Sequence, residues 1–570
     1  MNRFKDHIGR KLSEATSLPA ADIISTLEIP PNADWGDYGW PCFSLAKTMK
    51  MAPPRIAAEL TEKITSDDYI DTISSQGPYI NFTLNKSRVI GDVCSKILSE
   101  GEDYGKSKSG EGQKVVLEYS SPNIAKPMSI GHLRATILGA SLKRIYDSLG
   151  YDVESINHLG DWGTQFGKLV LAYKKWADPE SMKTDPIKEL FRIYVKLHEL
   201  AEDDKSIEDE SRAIFTKLEQ GDPEITKIWK EFIELSWKEF DRIYGMLGVK
   251  FDSIAGESFY QDKMADVIDL LAEKNLSRES QGALIVPLDD YKLEPLLLQK
   301  KDGSTLYSTR DLAAAIYRYN TYQFDKMIYV VGVAQSLHFK QFFKVLELAG
   351  FDWVDRCSHV DFGWVKLGSE MMSTRRGNIV FVEDVLNQSI EKVNGIIREN
   401  NPELENAETV AEQVGIGAII FANLSVKRQT DVSFDWGRVL DFNGYSGPYL
   451  QYAHARLCSV LRKHGKDPQP NIDYSLLTLP EEYKLARMLL DYPEKILDAA
   501  KHNEPYIISA YLLDLVGLFS TYYQKYKSAR DKILSDDELL KVAKTNLTYC
   551  IKTVVKSGLA LLGLQAPEKM

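Results

Sequence analysis

Val115-Val116-Leu117-Glu118-Tyr119-Ser120-Ser121-Pro122-Asn123-Ile124-Ala125-Lys126-Pro127-Met128-Ser129-Ile130-Gly131-His132-Leu133-Arg134 is the stretch whose reading decides the fold. An apolar, β-branched run ends in a polar loop with two prolines. Behind Gly131, the residues Leu133, Ile137, Leu138, Leu142, Ile145 and Leu149 recur at helical spacing. The order is strand, loop, helix. In such a unit the helix N-terminus turns unpaired N–H groups and the positive end of its dipole toward the loop. Lys126, Ser129 and His132 gather there, so the stretch suits a phosphate. It lacks the glycine pattern of a Walker loop or of a dinucleotide fold.

Outward from this unit, strand-like runs at 115–120, 152–157, 304–309, 327–331 and 359–366 alternate with helical patterns such as 311–320 and 339–349. That alternation predicts a doubly wound parallel sheet, with ligands at the carboxyl ends of its strands. Residues from about 175 to 280 carry long amphipathic patterns, for example Ile225, Ile228, Trp229, Phe232 and Leu235, and are expected to form a helical insertion. Upstream, Pro53-Pro54 opens a helix and Tyr79–Leu84 alternates like a strand, which predicts a small α+β domain. A charged, glycine- and serine-rich segment around 99–113 reads as a linker, and beyond about 440 the pattern is almost wholly helical. The expected organisation is multidomain α/β: an N-terminal α+β domain and linker over 1–110, a Rossmann-like catalytic domain over 111–440, and an all-α bundle over 441–570.

Composition fits this reading. The 570 residues exceed one compact core, and 44% hydrophobic with 27% charged residues is ordinary for a folded globular protein. A net charge of −12 argues against indiscriminate nucleic-acid binding, yet leaves room for a local RNA surface. Five cysteines lie far apart without a C-x-x-C pair, so neither a zinc knuckle nor a disulfide framework is suggested. The charged N-terminus lacks the apolar core of a secretory signal, and no uninterrupted apolar run approaches the roughly 18 residues of a membrane span. A cytoplasmic protein with reduced thiols and no membrane partner is expected.

From Glu118 to Gln165, including Asn157-His158-Leu159-Gly160-Asp161-Trp162-Gly163-Thr164-Gln165, the sequence resembles the catalytic core of class I arginyl-tRNA synthetases. The family's HIGH motif reads Ser129-Ile130-Gly131-His132 here, with serine at its first position. A second loop, Gly368-Ser369-Glu370-Met371-Met372-Ser373-Thr374-Arg375-Arg376-Gly377-Asn378, falls in register with the KMSKS loop. Met371 stands at that motif's first lysine and Arg375 at its second. Taken alone, the segment reads as a polar turn. Some family members without that lysine resemble this chain in carrying one just before the HIGH stretch, the place Lys126 holds.

The resemblance, which covers essentially the whole chain, implies ATP-dependent activation of L-arginine and its transfer to tRNA for arginine. Lys126, Ser129, His132 and Arg375 are its expected catalytic residues. Gly131, His132, Ser373 and Thr374 are expected to hold ATP, with Mg²⁺ carried by the nucleotide and no zinc. Glu118, Asn123, Tyr307, Asp311 and Gln335 are expected to line the arginine pocket, where carboxylates suit a planar, always charged guanidinium. From the residues alone, Asp311 fits a helix cap as well as a ligand. For tRNA, the family register implies Gln76, Tyr79 and Asn81 at the elbow, and Tyr449, Tyr452, Arg456, Tyr523 and Met570 at the anticodon. Tyr449, Tyr452 and Arg456 share one helical face, a spacing that core residues also show. A monomer is expected. The rival reading is an inactive paralogue that keeps the RNA surfaces, since Ser129 and Met371 both depart from the active-site motifs.

Overall fold

The computed structural model describes residues 2–301, 306–367, 380–527 and 531–570. The N-terminal part opens with a helix, Arg3–Thr16, whose first amides are capped by the Asn2 side chain. It packs beside an antiparallel sheet of β1 (Tyr38–Pro41), β2 (Ile70–Gln76) and β3 (Tyr79–Leu84), with β3 in the middle. A further helix, Lys86–Glu100, leads from this sheet toward the catalytic part.

The catalytic part is built on parallel strands in the order β11-β10-β4-β5-β6. They are β4 (Lys114–Glu118), β5 (Asp152–Asn157), β6 (Ser253–Ile254), β10 (Lys326–Tyr329) and β11 (Cys357–His359). Val115, Val116 and Leu117 of β4 are fully buried, which explains why the strand reads as an unbroken apolar run. The chain leaves β4 toward β5 on one side and returns at β10 on the other. The strand order therefore reverses between β4 and β10, and the register pairs Glu118 with Tyr329 at that point.

Between β5 and β6 stand the helices Pro179–Thr184, Pro186–Asp203, Ser206–Glu219 and Pro223–Leu247. Three of them start with Asp-Pro. Asp178, Asp185 and Asp222 accept hydrogen bonds from first-turn amides, and proline fills a position whose N–H has no partner. After β6 the chain forms a second antiparallel sheet, β7 (Arg278–Ser280), β8 (Ala283–Val286) and β9 (Leu296–Gln299), which the sequence pattern did not announce.

Two sequence expectations are corrected. The strand-like run 304–309 is helical from Tyr307, in the helix Tyr307–Tyr322, while 302–305 lie outside the described residues. The Ser308 and Thr309 hydroxyls donate to the carbonyls of Leu297 and Leu298 on β9, so tertiary contacts override a β-prone composition. The run 359–366 is two elements: β11 ends at His359, and β12 (Val365–Leu367) pairs with β13 (Val432–Phe434) in a separate parallel ribbon.

The helices Gly447–His464, Pro480–His502, Tyr506–Tyr526 and Glu538–Leu562 form the C-terminal bundle. Tyr506–Tyr526 is long and apolar enough to cross a membrane by length and composition, but it packs inside this bundle. The bundle also abuts the catalytic part: the Tyr146 hydroxyl donates to the Ala500 carbonyl at 3.0 Å and lies 2.8 Å from the Asn503 side chain.

Candidate active site

The loop after β4 is strained and braced. Ser120, Ser121 and Ala125 have φ of 78°, 44° and 59°, which L side chains adopt only where surroundings impose it. The helix Pro223–Leu247 supplies the brace. Its Ser236 hydroxyl accepts from Ala125 N–H at 2.7 Å, and its Tyr244 hydroxyl lies 2.8 Å from Ser120 Oγ while accepting from Asn157 Nδ2 at 2.9 Å. The insertion therefore braces the loop after β4. The β5 side closes against it through Gly160, where a Cβ would fall 2.3 Å from Asn123 Oδ1.

Ser129 and His132 lock each other at the start of the helix Ile130–Ser148. Ser129 N–H donates to His132 Nδ1 at 3.2 Å, and Ser129 Oγ lies 3.0 Å from the same nitrogen. Because Nδ1 accepts from a backbone N–H, the ring proton sits on Nε2. Burial, helped by the charge of Lys126, pushes the imidazole's pKa down to about 4. His132 is thus a neutral donor near pH 7, and Ser129 orients it. Lys126 brings the positive charge: its ammonium lies 4.1 Å from the Tyr194 ring centre and 3.5 Å from Gln165 Oε1, itself in the family-like segment after β5. Gly131 lies exposed beside them. Met371, Ser373, Thr374 and Arg375 lie outside the described residues.

Of the expected arginine-pocket residues, Glu118 sits at the reversal between β4 and β10, and Asp311 and Tyr307 both meet His338. Glu118 is buried and paired with the guanidinium of Arg318, which is 1% exposed and flanked by the rings of Tyr260 and Tyr329 at 5.6 and 5.7 Å. Asp311 lies within its helix, whose N-cap is Leu306, so it is no cap. Its carboxylate accepts from His338 Nε2 at 2.6 Å, and the His338 ring stands edge-on to Tyr307, 5.0 Å away and 56% exposed. Gln335 lies exposed in the turn after β10, and Asn123 is half-buried against Gly160 and Gln165.

Sequence reasoning missed Arg318, His338 and Glu257. Arg318 follows Asp311 by seven residues on one helix face, a spacing that signals their shared direction. Glu257 pairs with Arg310 at 3.1 Å; burial, with Asp311 and Asp161 nearby, raises its pKa to about 7 against the opposing pull of Arg310.

On the N-terminal sheet, Gln76 and Tyr79 face each other across the β2–β3 turn, with Phe43 edge-on to Tyr79 at 6.2 Å. Asn81 is buried beneath them with its amide nitrogen unpartnered. On the bundle, Tyr452, Arg456 and Tyr523 assemble, the guanidinium lying 4.8 and 5.6 Å from the two rings. Tyr449 turns its hydroxyl toward Ser520 Oγ at 3.2 Å. Met570 is partly buried, its carbonyl accepting from Asn401 at 3.2 Å.

Comparison with known proteins finds likeness along the whole chain. The family model "tRNA synthetases class I (R), catalytic domain" matches residues 93–436, the DALR anticodon binding domain matches 450–570, and the arginyl tRNA synthetase N terminal domain matches 2–84. The chain is 48% identical over 571 residues to an arginine–tRNA ligase of Clostridioides difficile, covering 100% of both. To one of Clostridium botulinum it is 48% identical over 567 residues, again covering 100% of both. The Thermus thermophilus arginyl-tRNA synthetase structure aligns with a TM-score of 0.84 at 25% identity, covering 100% of each chain. That of Plasmodium falciparum shares the fold with a TM-score of 0.78 at 24% identity, over 100% of this chain and 98% of the other.

Proposed function

The chain belongs to the class I arginyl-tRNA synthetases, and from that premise we propose how its own residues divide the work. It is an arginine–tRNA ligase: it activates L-arginine with ATP and esterifies it to tRNA, and nothing in the comparisons supports the inactive alternative. The arginine carboxylate attacks the α-phosphorus of ATP, pyrophosphate leaves, and arginyl-adenylate forms. A terminal ribose hydroxyl of the tRNA then attacks the acyl carbon and AMP leaves. Such a reaction needs positioning and charge neutralisation more than covalent help from the protein.

Arginine is met by Asp311 and by the Glu118 oxygen that Arg318 leaves to the pocket, with Tyr307, Asn123 and Gln335 completing the contacts. The observation that carries this assignment is the pairing of each acid with a fixed partner, Glu118 with Arg318 and Asp311 with His338. Paired this way, the acids are held in place, and their excess negative charge is small enough to suit one guanidinium. On the phosphate side, neutral His132 donates a hydrogen bond through Nε2 and Ser129 orients it. Lys126 and Arg375 supply positive charge, and Gly131, Ser373 and Thr374 approach the nucleotide. Mg²⁺ arrives with ATP as counterion to its phosphates. Gln76, Tyr79 and Asn81 receive the tRNA elbow; Tyr449, Tyr452, Arg456, Tyr523 and Met570 receive the anticodon. Asn81 needs movement of its cover to take part. The enzyme works as a monomer in the cytoplasm; the cytoplasmic part of that reading is supported by five cysteines without a disulfide, four of them buried.

Amino-acid-dependent ATP–pyrophosphate exchange, run with and without tRNA, tests the reading. Exchange with arginine alone among the amino acids, and dependent on tRNA, is expected. No exchange with any amino acid in the presence of tRNA contradicts it, and brisk exchange without tRNA contradicts the expected dependence.

A further inference from the structure

The turn that carries Gln335 is held from below by a segment that belongs to no regular element. Between β11 and β12, Phe362 bridges to Gly332, and its carbonyl accepts from Val333 N–H at 3.0 Å. Just upstream, the His359 ring donates to the Val331 carbonyl at 2.9 Å. The position of residues 359–364 thereby sets the position of the Gly332–Gln335 turn.

Two arginines fix that segment, and neither belongs to the arginine pocket. Arg134, fully buried on the helix that starts at Ile130, donates through Nη1 to the carbonyls of Gly363 at 2.9 Å and Trp364 at 3.4 Å. Its Nη2 donates to the Arg428 carbonyl at 2.9 Å. Arg428 donates to the Asp361 carbonyl at 2.6 Å and to the Asp361 carboxylate, which also accepts from Gln429 Nε2 at 3.1 Å on each oxygen. The fit leaves no slack: a Cβ on Gly363 would fall 2.7 Å from the Asp431 carboxylate and 2.8 Å from the Gln429 carbonyl.

Arg428 is in turn held from the bundle. Glu504, in the turn between the helices Pro480–His502 and Tyr506–Tyr526, accepts from Arg428 N–H at 3.1 Å and places its other oxygen 4.0 Å from Arg428 Nε. The second of those helices carries Tyr523 of the RNA-facing cluster. A charged contact at this joint is sensitive to small shifts of the bundle, because packed interfaces respond as discrete arrangements rather than by continuous bending.

We propose that Arg428 is a positioning residue that couples the anticodon bundle to the arginine pocket, through Glu504 on one side and Asp361, Phe362 and the Gln335 turn on the other. The proposal rests on the assignment of Gln335 to the arginine pocket and of the bundle to tRNA. It adds a route by which tRNA on the bundle alters arginine affinity, and by reciprocity arginine alters tRNA affinity by the same factor.

The test is equilibrium binding of arginine to the full-length enzyme with and without intact arginine tRNA, for wild type, Glu504→Gln and Arg428→Lys. Glu504→Gln keeps an acceptor for Arg428 N–H but removes the charge. Arg428→Lys keeps the charge but loses the planar guanidinium that holds Nη1 on Asp361 while Nε faces Glu504. In wild type, tRNA is expected to tighten arginine binding by at least about fivefold, the lower end of ordinary coupling between sites. In both variants that factor should fall below about twofold, and in Glu504→Gln arginine affinity in the absence of tRNA and the melting temperature should stay near wild type. The reciprocal measurement should show the same loss. Full coupling retained in Glu504→Gln overturns the proposal. So does a variant whose arginine affinity falls equally with and without tRNA, since that marks Glu504 as structural only. Wild-type enzyme that binds arginine with no tRNA effect overturns this proposal alone; wild-type enzyme that binds no arginine overturns the assignment of the pocket as well.

Discussion

Arg318 in the proposed arginine pocket and Arg456 on the bundle are both guanidinium groups set near two tyrosine rings, yet their surroundings suit them to opposite uses. Arg318 lies among Tyr260, Tyr329 and Glu118 and is almost wholly buried. Arg456 lies against Tyr452 and Tyr523, is only partly buried, and among the described residues no carboxylate pairs with it. A buried guanidinium paired with a carboxylate acts as a strut that fixes that carboxylate. A partly exposed one without a counter-ion keeps its charge for phosphate, while the neighbouring rings offer faces to bases. Both guanidinium groups lie within about 6 Å of two rings; the carboxylate beside Arg318 is what separates the two sites.

Breaking each site in the same way sharpens this contrast. Arg318→Met leaves Glu118 as an unpaired buried charge, so stability should fall by about 3–5 kcal/mol with severe loss of arginine binding. Denaturant unfolding monitored on the catalytic part, with arginine binding measured in parallel, reads both. A stable variant with normal arginine affinity would show that Arg318 is no strut. Arg456→Met keeps an apolar stem beside the two rings and breaks no ion pair, so it should cost no more than about 1 kcal/mol of stability and leave arginine binding unchanged. Its tRNA affinity should fall by about 1–3 kcal/mol, the scale of a lost stacking and cation contact, as read in a titration of labelled tRNA. Unchanged tRNA affinity would return the Tyr452–Arg456–Tyr523 cluster to a packing role.

The smallest effect concerns pH. With its pKa raised to about 7, Glu257 gains negative charge beside Asp311 as pH rises from 6 to 8. Arginine affinity should therefore strengthen by about 1.4- to 5-fold, the worth of a partly exposed charge, and Glu257→Gln should flatten the profile. The sign for stability is opposite. The folded protein holds a proton that an unfolded glutamate releases near pH 4.3, so this group's contribution is full below about pH 4 and lost as pH rises through 7. His132, with its pKa near 4, should add no inflection between pH 6 and 8.

What the sequence made legible follows the range of the interactions involved. The strand, loop and helix around Ser129 and His132 were readable because apolar periodicity and helix-start chemistry lie within some twenty residues of one another. Asp311 was left between cap and ligand, and only the helix start at Tyr307 decides against the cap. The Glu118–Arg318 pair joins residues 200 positions apart, and the Arg428–Glu504 contact spans 76, so neither leaves a local pattern. The segment 359–366 was misread as one strand because its irregular middle is imposed by Arg134 and Arg428, from distant parts of the chain. The partner of His132 could not be read either: Ser129 departs from the family motif, and only the geometry reveals that it orients the imidazole.

The central claim for the phosphate side is that Lys126 supplies the charge that the second loop lacks at Met371. A neutral His132 sharpens that need, since it brings a donor and no charge. The measurement that tests it most directly is a double-mutant cycle in arginine- and tRNA-dependent pyrophosphate exchange. Lys126→Ala should lower the rate by about 10²–10³, the equivalent of roughly 3–4 kcal/mol for one preorganised electrostatic group, with arginine binding little changed. Met371→Lys alone should change little, and in the Lys126→Ala background it should restore part of the lost rate. Strict additivity of the two substitutions, with no recovery, would contradict the claim that one lysine stands in for the other.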